Sequence, residues 1–449
     1  MSNDDLATLD TAAPSRRDPE QRPAPSPWRR RLVVVGLLLA ALNLRPAVTS
    51  LGPLLKEVRD DLGMSGTVAG LLTSMPAACF AVFGLTAPRL ARRFGPGAVV
   101  CTGLAAIATG LALRPFAGGT VAFLCASALG LAGIAVSNIL MPVIVKSWFP
   151  DRVGSMTGLY SMGLSLGTAS AAAVTVPMTD ALGGSWRAGL GVWAALAGVA
   201  MLPWLFLARD RTHRPSGPGQ AAAPGTPAAP NEPAAPGIQA VPGAQASPST
   251  PAAPEPAIRI TRSPTAWAMA VFFGLQSTAA YITMGWMPQI FRDAGVSAST
   301  SGVLLAVIMA MGVPLAFVLP RAAARLRNQG VLAVALGVCG IIGYAGLWLA
   351  PVGGAWLWAV LLGVANCAFP LALTMISMRA RTSAGVVRLS AFAQSTGYLL
   401  SIPGPLLVGT LYQHSGGWGA PLALMAGLMV PQIVAGLLAG RDRTLEDEI

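Results

Sequence analysis

The chain has 449 residues and a formal charge of +12, yet only 11% of its residues are charged and 54% are hydrophobic. Soluble proteins carry roughly 25% charged residues, so water is excluded as the solvent for most of this one. Its five cysteines (Cys79, Cys101, Cys125, Cys339 and Cys367) stand singly in apolar stretches, without the spacing of a disulfide framework or a zinc site.

Residues 1–31 open the chain as a polar, Pro- and Arg-containing arm with no apolar signal segment, which predicts a disordered N-terminus. A membrane-spanning helix needs about 20 mostly apolar residues. Charges, glycines and prolines divide the rest of the chain into twelve such stretches. The first six fall near 32–55, 66–87, 97–114, 119–145, 153–177 and 186–208. The second six fall near 264–287, 300–320, 330–350, 354–377, 389–411 and 418–440. Between the two sets, 209–263 is rich in Pro and Ala, a composition that cannot bury a core and predicts a flexible linker. Residues 441–449 are left as a tail. Trp28, Trp148, Trp186, Trp204, Trp348, Trp356 and Trp418 lie near expected span ends, where an indole can meet both lipid and water.

The basic residues set the orientation. With the N-terminus placed in the cytoplasm, twenty-four of the thirty Lys and Arg fall on that side and five on the other: Lys56, Arg59, Arg114, Arg187 and Arg292. That is the positive-inside pattern. Both termini are then expected to be cytoplasmic, with the basic loops against anionic lipid rather than nucleic acid.

A shift of 232 residues aligns Asp61 with Asp293, Gly63 with Gly295, Ser65 with Ser297, Gly70 with Gly302, Pro88 with Pro320, Arg89 with Arg321 and Arg93 with Arg325. The fold class expected is therefore an all-α membrane protein of twelve transmembrane helices in two related six-helix halves, the architecture of the major facilitator fold.

Arg45 is the residue left over by the charge count. Ending the first span before it would leave residues 32–44, about 20 Å of helix, against a hydrocarbon core of about 30 Å. The span must run on towards Lys56, which puts Arg45 inside the membrane, where a central arginine costs at least about 2.5 kcal/mol on insertion scales. Pro46 lacks an N–H and frees the carbonyl of Leu42, loosening the helix beside the charge. Arg45 is expected either to anchor an anionic ligand or to hold neighbouring carbonyls together. Under the 232 shift Ser277 falls opposite Arg45 and Gln276 opposite Leu44, with Tyr281 following; Gln394 and Tyr398 share a helix face; Asn138 precedes Pro142 by four; and Asn366 is a weaker member. All 18 Asp and Glu fall outside the spans or at their ends, so no intramembrane carboxylate relay is evident and the coupling ion stays open.

These residues sit in motifs. The stretch "LNLRPAVTSLGPLL" resembles the first-helix signature of the cyanate and 2-nitroimidazole porter family of the major facilitator superfamily. "NILMPVIVKSWFPDRVGSMTGLY", "GLQSTAAYITMGWMP" and "AQSTGYLLSIPGPLLVGTLYQHSGGW" resemble the same family's span 4–5 junction, span 7 and span 11. The loop "PRLARRFG" departs from the wider superfamily pattern, with Arg92 where an Asp would fall. An arginine frequent in span 4 of proton-coupled relatives is also missing.

The resemblance implies a secondary carrier in a bacterial cytoplasmic membrane, moving a small anion or small polar heterocycle by alternating access as a monomer and without a cofactor. The substrate-site residues it and the depth argument suggest are Arg45, Asn43, Asn138, Tyr160, Gln276, Tyr281, Asn366, Gln394 and Tyr398. Arg89, Arg92, Arg93 and Arg152 are the expected gating residues of the cytoplasmic loops. The competing readings are a broad efflux carrier in which Arg45 only braces the bundle, and a sensor that binds without moving anything. No nucleophile–base pair, metal cluster, Walker loop or dinucleotide fingerprint suggests an enzyme.

Overall fold

A computed structural model of the chain describes residues 27–208 and 260–448. The expected N-terminal arm up to residue 26 and nearly all of the Pro/Ala-rich linker lie outside the described residues.

The first half contains α1 (Pro27–Asn43), α2 (Pro46–Thr49), α3 (Leu51–Leu62), α4 (Gly66–Phe94), α5 (Pro96–Leu113), α6 (Thr120–Trp148), α7 (Val153–Ala181) and α8 (Trp186–Ala208). The second contains α9 (Pro264–Asp293), α10 (Ala298–Ala310), α11 (Gly312–Arg325), α12 (Gly330–Leu349), α13 (Ala355–Asn366), α14 (Ala368–Met378), α15 (Ser383–Ser401), α16 (Pro403–Ser415) and α17 (Gly419–Ala439). Joined across their kinks, as α1–α3, α10–α11, α13–α14 and α15–α16, these helices make twelve rods, six in each half. Among the described residues, ten rods or their parts are long and apolar enough to cross a membrane. The other two are α9 and α15–α16, which carry Gln276, Ser277, Arg388 and Gln394. An even number of rods returns the chain to the side on which it began, called the termini face below.

The 232-residue repeat is visible in the backbone. Gly63 ends α3 with φ 62°, and Gly295 follows α9 with φ 102°, a left-handed conformation that only glycine adopts cheaply. Two residues later Ser65 and Ser297 cap α4 and α10, each side chain accepting the N–H three residues on, from Val68 at 3.2 Å and Thr300 at 3.1 Å. One signal, a glycine turn and then a serine cap, starts the second rod of both halves.

Each half has its own apolar core: α5 packs on α6 and α8 and α1 on α7 and α8, while α9 packs on α15 and α17 and α12 on α13 and α17. The halves meet where α4 packs on α15 and α16, α7 on α10, and α3 on α9. A Cβ on Gly302 of α10 would fall 2.6 Å from the carbonyl of Ala172 in α7, so that crossing requires glycine.

Two boundaries differ from expectation. α1 starts at Pro27, so 27–31 are helical rather than part of the arm. The tail is docked: Leu445 is buried, Glu446 accepts the N–H groups of Arg381 and Thr382 at the start of α15, and Glu448 accepts Thr265 N–H at the start of α9. Trp204, expected at a span end, is buried and donates to Gly36 O at 3.1 Å.

Candidate functional site

The first span breaks at the residue where proline removes the donor. α1 stops at Asn43, Leu44 and Arg45 form a turn, and α2 starts with Pro46 at its first position. The Arg45 carbonyl then caps the new helix, accepting from Val48 N and Thr49 N at 3.0 Å each. Leu42 O, the carbonyl that proline frees, faces Gly167 of α7, where a Cβ would lie 2.4 Å away. The break is thus covered by a helix that only a glycine lets in.

The Arg45 side chain is half-buried, and among the described residues its guanidinium has no hydrogen bond or ion pair. Three tyrosines from three other rods lie within reach of its charge: Tyr160 on α7, Tyr281 on α9 and Tyr398 on α15. Tyr160 and Tyr281 are buried. Tyr160 donates its hydroxyl to Asn138 Oδ1 on α6. Tyr398 stacks on Phe80 of α4 (centroids 5.1 Å apart, 20° between planes) and meets Phe273 of α9 edge-on at 5.2 Å. It therefore touches both halves and builds an aromatic wall near the free cation.

The other expected residues are placed differently. Asn43 is buried and donates to Leu39 O at 2.8 Å and Leu196 O at 3.3 Å, tying α1 to α8. Gln276 donates to Ser277 Oγ at 2.8 Å, while its Oε1, on α9 five residues before Tyr281, is buried with no hydrogen-bond partner among the described residues. Gln394 donates to Ser390 Oγ at 2.7 Å. Asn366 ends α13 and points its amide at Met309 Sδ, 3.9 Å away, within the second half. Arg89, Arg92 and Arg93 lie exposed in the last two turns of α4, and Arg152 is exposed after α6, all at the termini face. Arg93 covers the Phe94 ring at 5.2 Å.

Arg45 is not the sole arginine inside the bundle, contrary to the charge count. Arg114, expected on the far surface, is buried at 1% exposure. Its Nε donates to Ser127 Oγ at 3.0 Å, its Nη1 donates to Ala47 O at 2.9 Å, and its guanidinium lies over Phe123 at 5.6 Å. Ala47 is two residues beyond Arg45, so Arg114 holds the backbone of the broken segment. With Thr73, Tyr281 and Gly285 it also lines a small cavity of ≈ 10 Å³ between the halves, about enough for one water. Sequence reading missed it because Arg114-Pro115 looks like any span end, and nothing local shows that the side chain turns inward. Arg379, placed with the termini-face charges, is likewise buried, donating to Ala439 O at 2.8 Å, Gly440 O at 2.9 Å and Gln329 Oε1.

Away from the termini face the halves are latched. Arg292 of α9 grips Glu57 of α3 with two bonds, at 2.6 and 2.9 Å, and also donates to Pro53 O at 2.9 Å. The Glu57 hydrogen bond holds the Arg292 guanidinium above its ordinary range. Arg59 reaches Gln289 at 3.3 Å and covers Tyr412 at 5.6 Å. Thr67 N–H donates to Gln413 at 3.1 Å, and Trp286 Nε1 to Thr73 Oγ1 at 3.1 Å. The structure is therefore closed at this end.

Two six-rod halves that meet along α3/α9, α4/α15–α16 and α7/α10, with Arg45 and aromatic groups between them, have the architecture of the major facilitator type. Over residues 37–403 the chain matches the model of the Major Facilitator Superfamily, and it belongs to that family. It is 30% identical to "Uncharacterized transporter YycB" of Bacillus subtilis (strain 168), covering 93% of this chain and 97% of that one. It is also 30% identical to the "2-nitroimidazole transporter" of Escherichia coli (strain K12), over 93% and 97% of the two chains, and 29% identical to the "Cyanate transport protein CynX" of the same organism, over 88% and 94%. Among solved structures, a bacterial homologue of the human lysosomal transporter Spinster, in an inward-facing and occupied conformation, superposes with a TM-score of 0.66 at 15% identity. That match covers 92% of this chain and 95% of the other. The chain is an integral membrane protein and a transporter.

Proposed function

We propose that the protein is a secondary carrier for a small anion or a small, flat polar heterocycle, with Arg45 as the anchor for its cargo. The observation that carries this reading is the state of Arg45: a guanidinium inside the bundle, at a helix break, with no hydrogen-bond or ion-pair partner among the described residues and three tyrosines within reach of its charge. A membrane-embedded charge is costly unless something pairs with it. Arg114 already supplies the bracing bonds at this break, so the bracing role does not account for Arg45. A guanidinium offers a planar fork of donors that matches a carboxylate-like or cyanate-like anion. The phenol hydroxyls of Tyr281 and Tyr398 add donors, and the Phe80–Tyr398–Phe273 wall suits the face of a flat ring.

Two relatives, named for cyanate and for 2-nitroimidazole, fit this chemistry, one cargo an anion and the other a flat heterocycle. Transport follows an alternating-access cycle in which the Arg292–Glu57 latch closes one face while the cargo leaves by the other. The positive-inside count places the opposite, termini face in the cytoplasm. Binding tests the anchor. Purified wild-type protein is titrated with cyanate and with 2-nitroimidazole by calorimetry, beside Arg45→Lys. Lysine keeps the charge and loses the fork, so affinity for the preferred cargo falls by at least about ten-fold; unchanged affinity rejects Arg45 as the anchor.

A further inference from the structure

On the outer surface of the second half, a groove of ≈ 670 Å³ runs between the start of α9 and the end of α17. Its walls are almost wholly apolar, built from Pro264, Trp267, Val271, Val430, Val434 and Leu438. Trp267, Val430, Val434 and Leu438 are exposed there. The Trp267 indole is fixed in place, donating Nε1 to Thr261 O at 2.9 Å and standing edge-on to Phe392 of α15 at 5.3 Å.

The mouth of the groove is basic. Arg262 precedes Pro264 by two residues, Arg441 follows Leu438 by three, and Arg443 lies just beyond; all three are exposed, and among the described residues none has an ion pair. The acids nearby are bonded to other groups, and the one beside the groove itself is Glu448, which accepts from Ser263 and Thr265 at the start of α9. Asp442 lies within electrostatic reach of the buried Arg379. Glu446 and Glu448 are held by the starts of α15 and α9, and Asp447 pairs with Arg381 at 2.5 Å.

We propose that this groove is a binding site for one anionic glycerophospholipid, an acyl chain lying along Val271, Val430 and Val434 and the phosphate at Arg262, Arg441 and Arg443. The membrane supplies the occupant, and the charge at the mouth selects its headgroup: an apolar groove alone takes any lipid, whereas clustered arginines favour an anionic one by about five-fold per residue near the surface. The tryptophan at the headgroup end matches the usual position of an indole at the interface. The site bears on α9, the rod that carries Gln276 and Tyr281, so the lipid packs against an element of the substrate site.

Trp267 makes the site readable. The full-length protein is placed in phosphatidylcholine nanodiscs containing a small fraction of lipid brominated on its acyl chains, either phosphatidylglycerol or phosphatidylcholine. Tryptophan fluorescence is compared between wild type and Trp267→Phe, and the difference isolates Trp267. The Trp267 component is expected to be quenched several-fold more by brominated phosphatidylglycerol than by brominated phosphatidylcholine at equal fraction. In Arg262→Gln/Arg441→Gln/Arg443→Gln, phosphatidylglycerol quenching should drop to the phosphatidylcholine level, and the single variants Arg262→Gln and Arg441→Gln should fall between. Equal quenching by both lipids in the wild type overturns the headgroup selection. Absence of any Trp267-dependent quenching means that something other than lipid, such as the Pro/Ala-rich linker, fills the groove, and overturns the site.

Discussion

Arg45 and Arg114 act on the same few residues of backbone but handle a membrane-embedded charge in different ways. Arg114 is bonded to Ala47 O and Ser127 Oγ and lies over Phe123, whereas among the described residues the Arg45 guanidinium has no hydrogen bond or ion pair. The two should therefore separate by stability. Arg114→Ala strips a buried carbonyl and hydroxyl of their donor, a loss of about 1–3 kcal/mol, read as a lower unfolding temperature in detergent. Arg45→Ala should not lower it, since a membrane-embedded charge without a partner costs stability rather than adding it. An equal drop for both would mean that Arg45 braces the bundle after all. Arg45 was legible in the sequence because span-length arithmetic forces it into the membrane and Pro46 marks the break. Arg114 was not, since the direction of a side chain at a span end depends on the tertiary position of Ala47, 67 residues away. Asn43 and Asn138 look alike in sequence; only packing shows that one ties α1 to α8 and the other meets Tyr160.

Among elements, the glycine turns and serine caps that begin α4 and α10 were readable from the 232-residue shift, because both devices are local. The latch was not, because Glu57 and Arg292 are far apart in the chain and each looks like an ordinary loop charge. Its weight can be measured. With spin labels at Asp60→Cys and Ser415→Cys, in a background lacking the five native cysteines, Glu57→Gln should populate a longer separation. A partly exposed pair of this kind contributes up to about 1 kcal/mol, or roughly a five-fold shift in population. Gly302→Leu should act in the same direction more strongly, since even a Cβ there meets Ala172 O at 2.6 Å. An unchanged distance distribution in both variants would show that these contacts do not hold the face closed.

The docked tail gives a pH prediction at the same scale. Burial acts to raise Glu446, but the N–H groups of Arg381 and Thr382 more than offset it and hold the carboxyl below its ordinary value of 4.5. A group depressed by folding stabilises the docked state at pH above its ordinary value and loses that contribution as pH falls towards its lower, docked value. Hydrogen exchange at Arg381 and Thr382 should therefore be slow at neutral pH, once corrected for intrinsic rates, and should lose protection as the pH is brought below 4.5. In Glu446→Gln that protection should be weak at every pH, and protection equal to wild type would contradict the docking.

For the whole molecule, composition, the count of spans and the repeat led to the fold, because a bilayer permits few architectures and a duplication leaves a constant offset. The cargo was less legible, since a family keeps its scaffold while its substrates change. What distinguishes a carrier from a sensor is net movement, and what distinguishes an anion carrier from a broad efflux pump is dependence on the guanidinium. Counterflow in proteoliposomes reads both. Vesicles preloaded with unlabelled cyanate or 2-nitroimidazole are diluted into the labelled compound, with wild type, Arg45→Lys and Arg45→Ala reconstituted at equal density. Wild type should accumulate label transiently for at least one of the two cargoes, and both variants should lose at least about nine-tenths of that rate, as for removal of a bidentate anion contact. Wild-type binding without any counterflow, or Arg45→Ala exchanging as fast as wild type, would contradict the assignment.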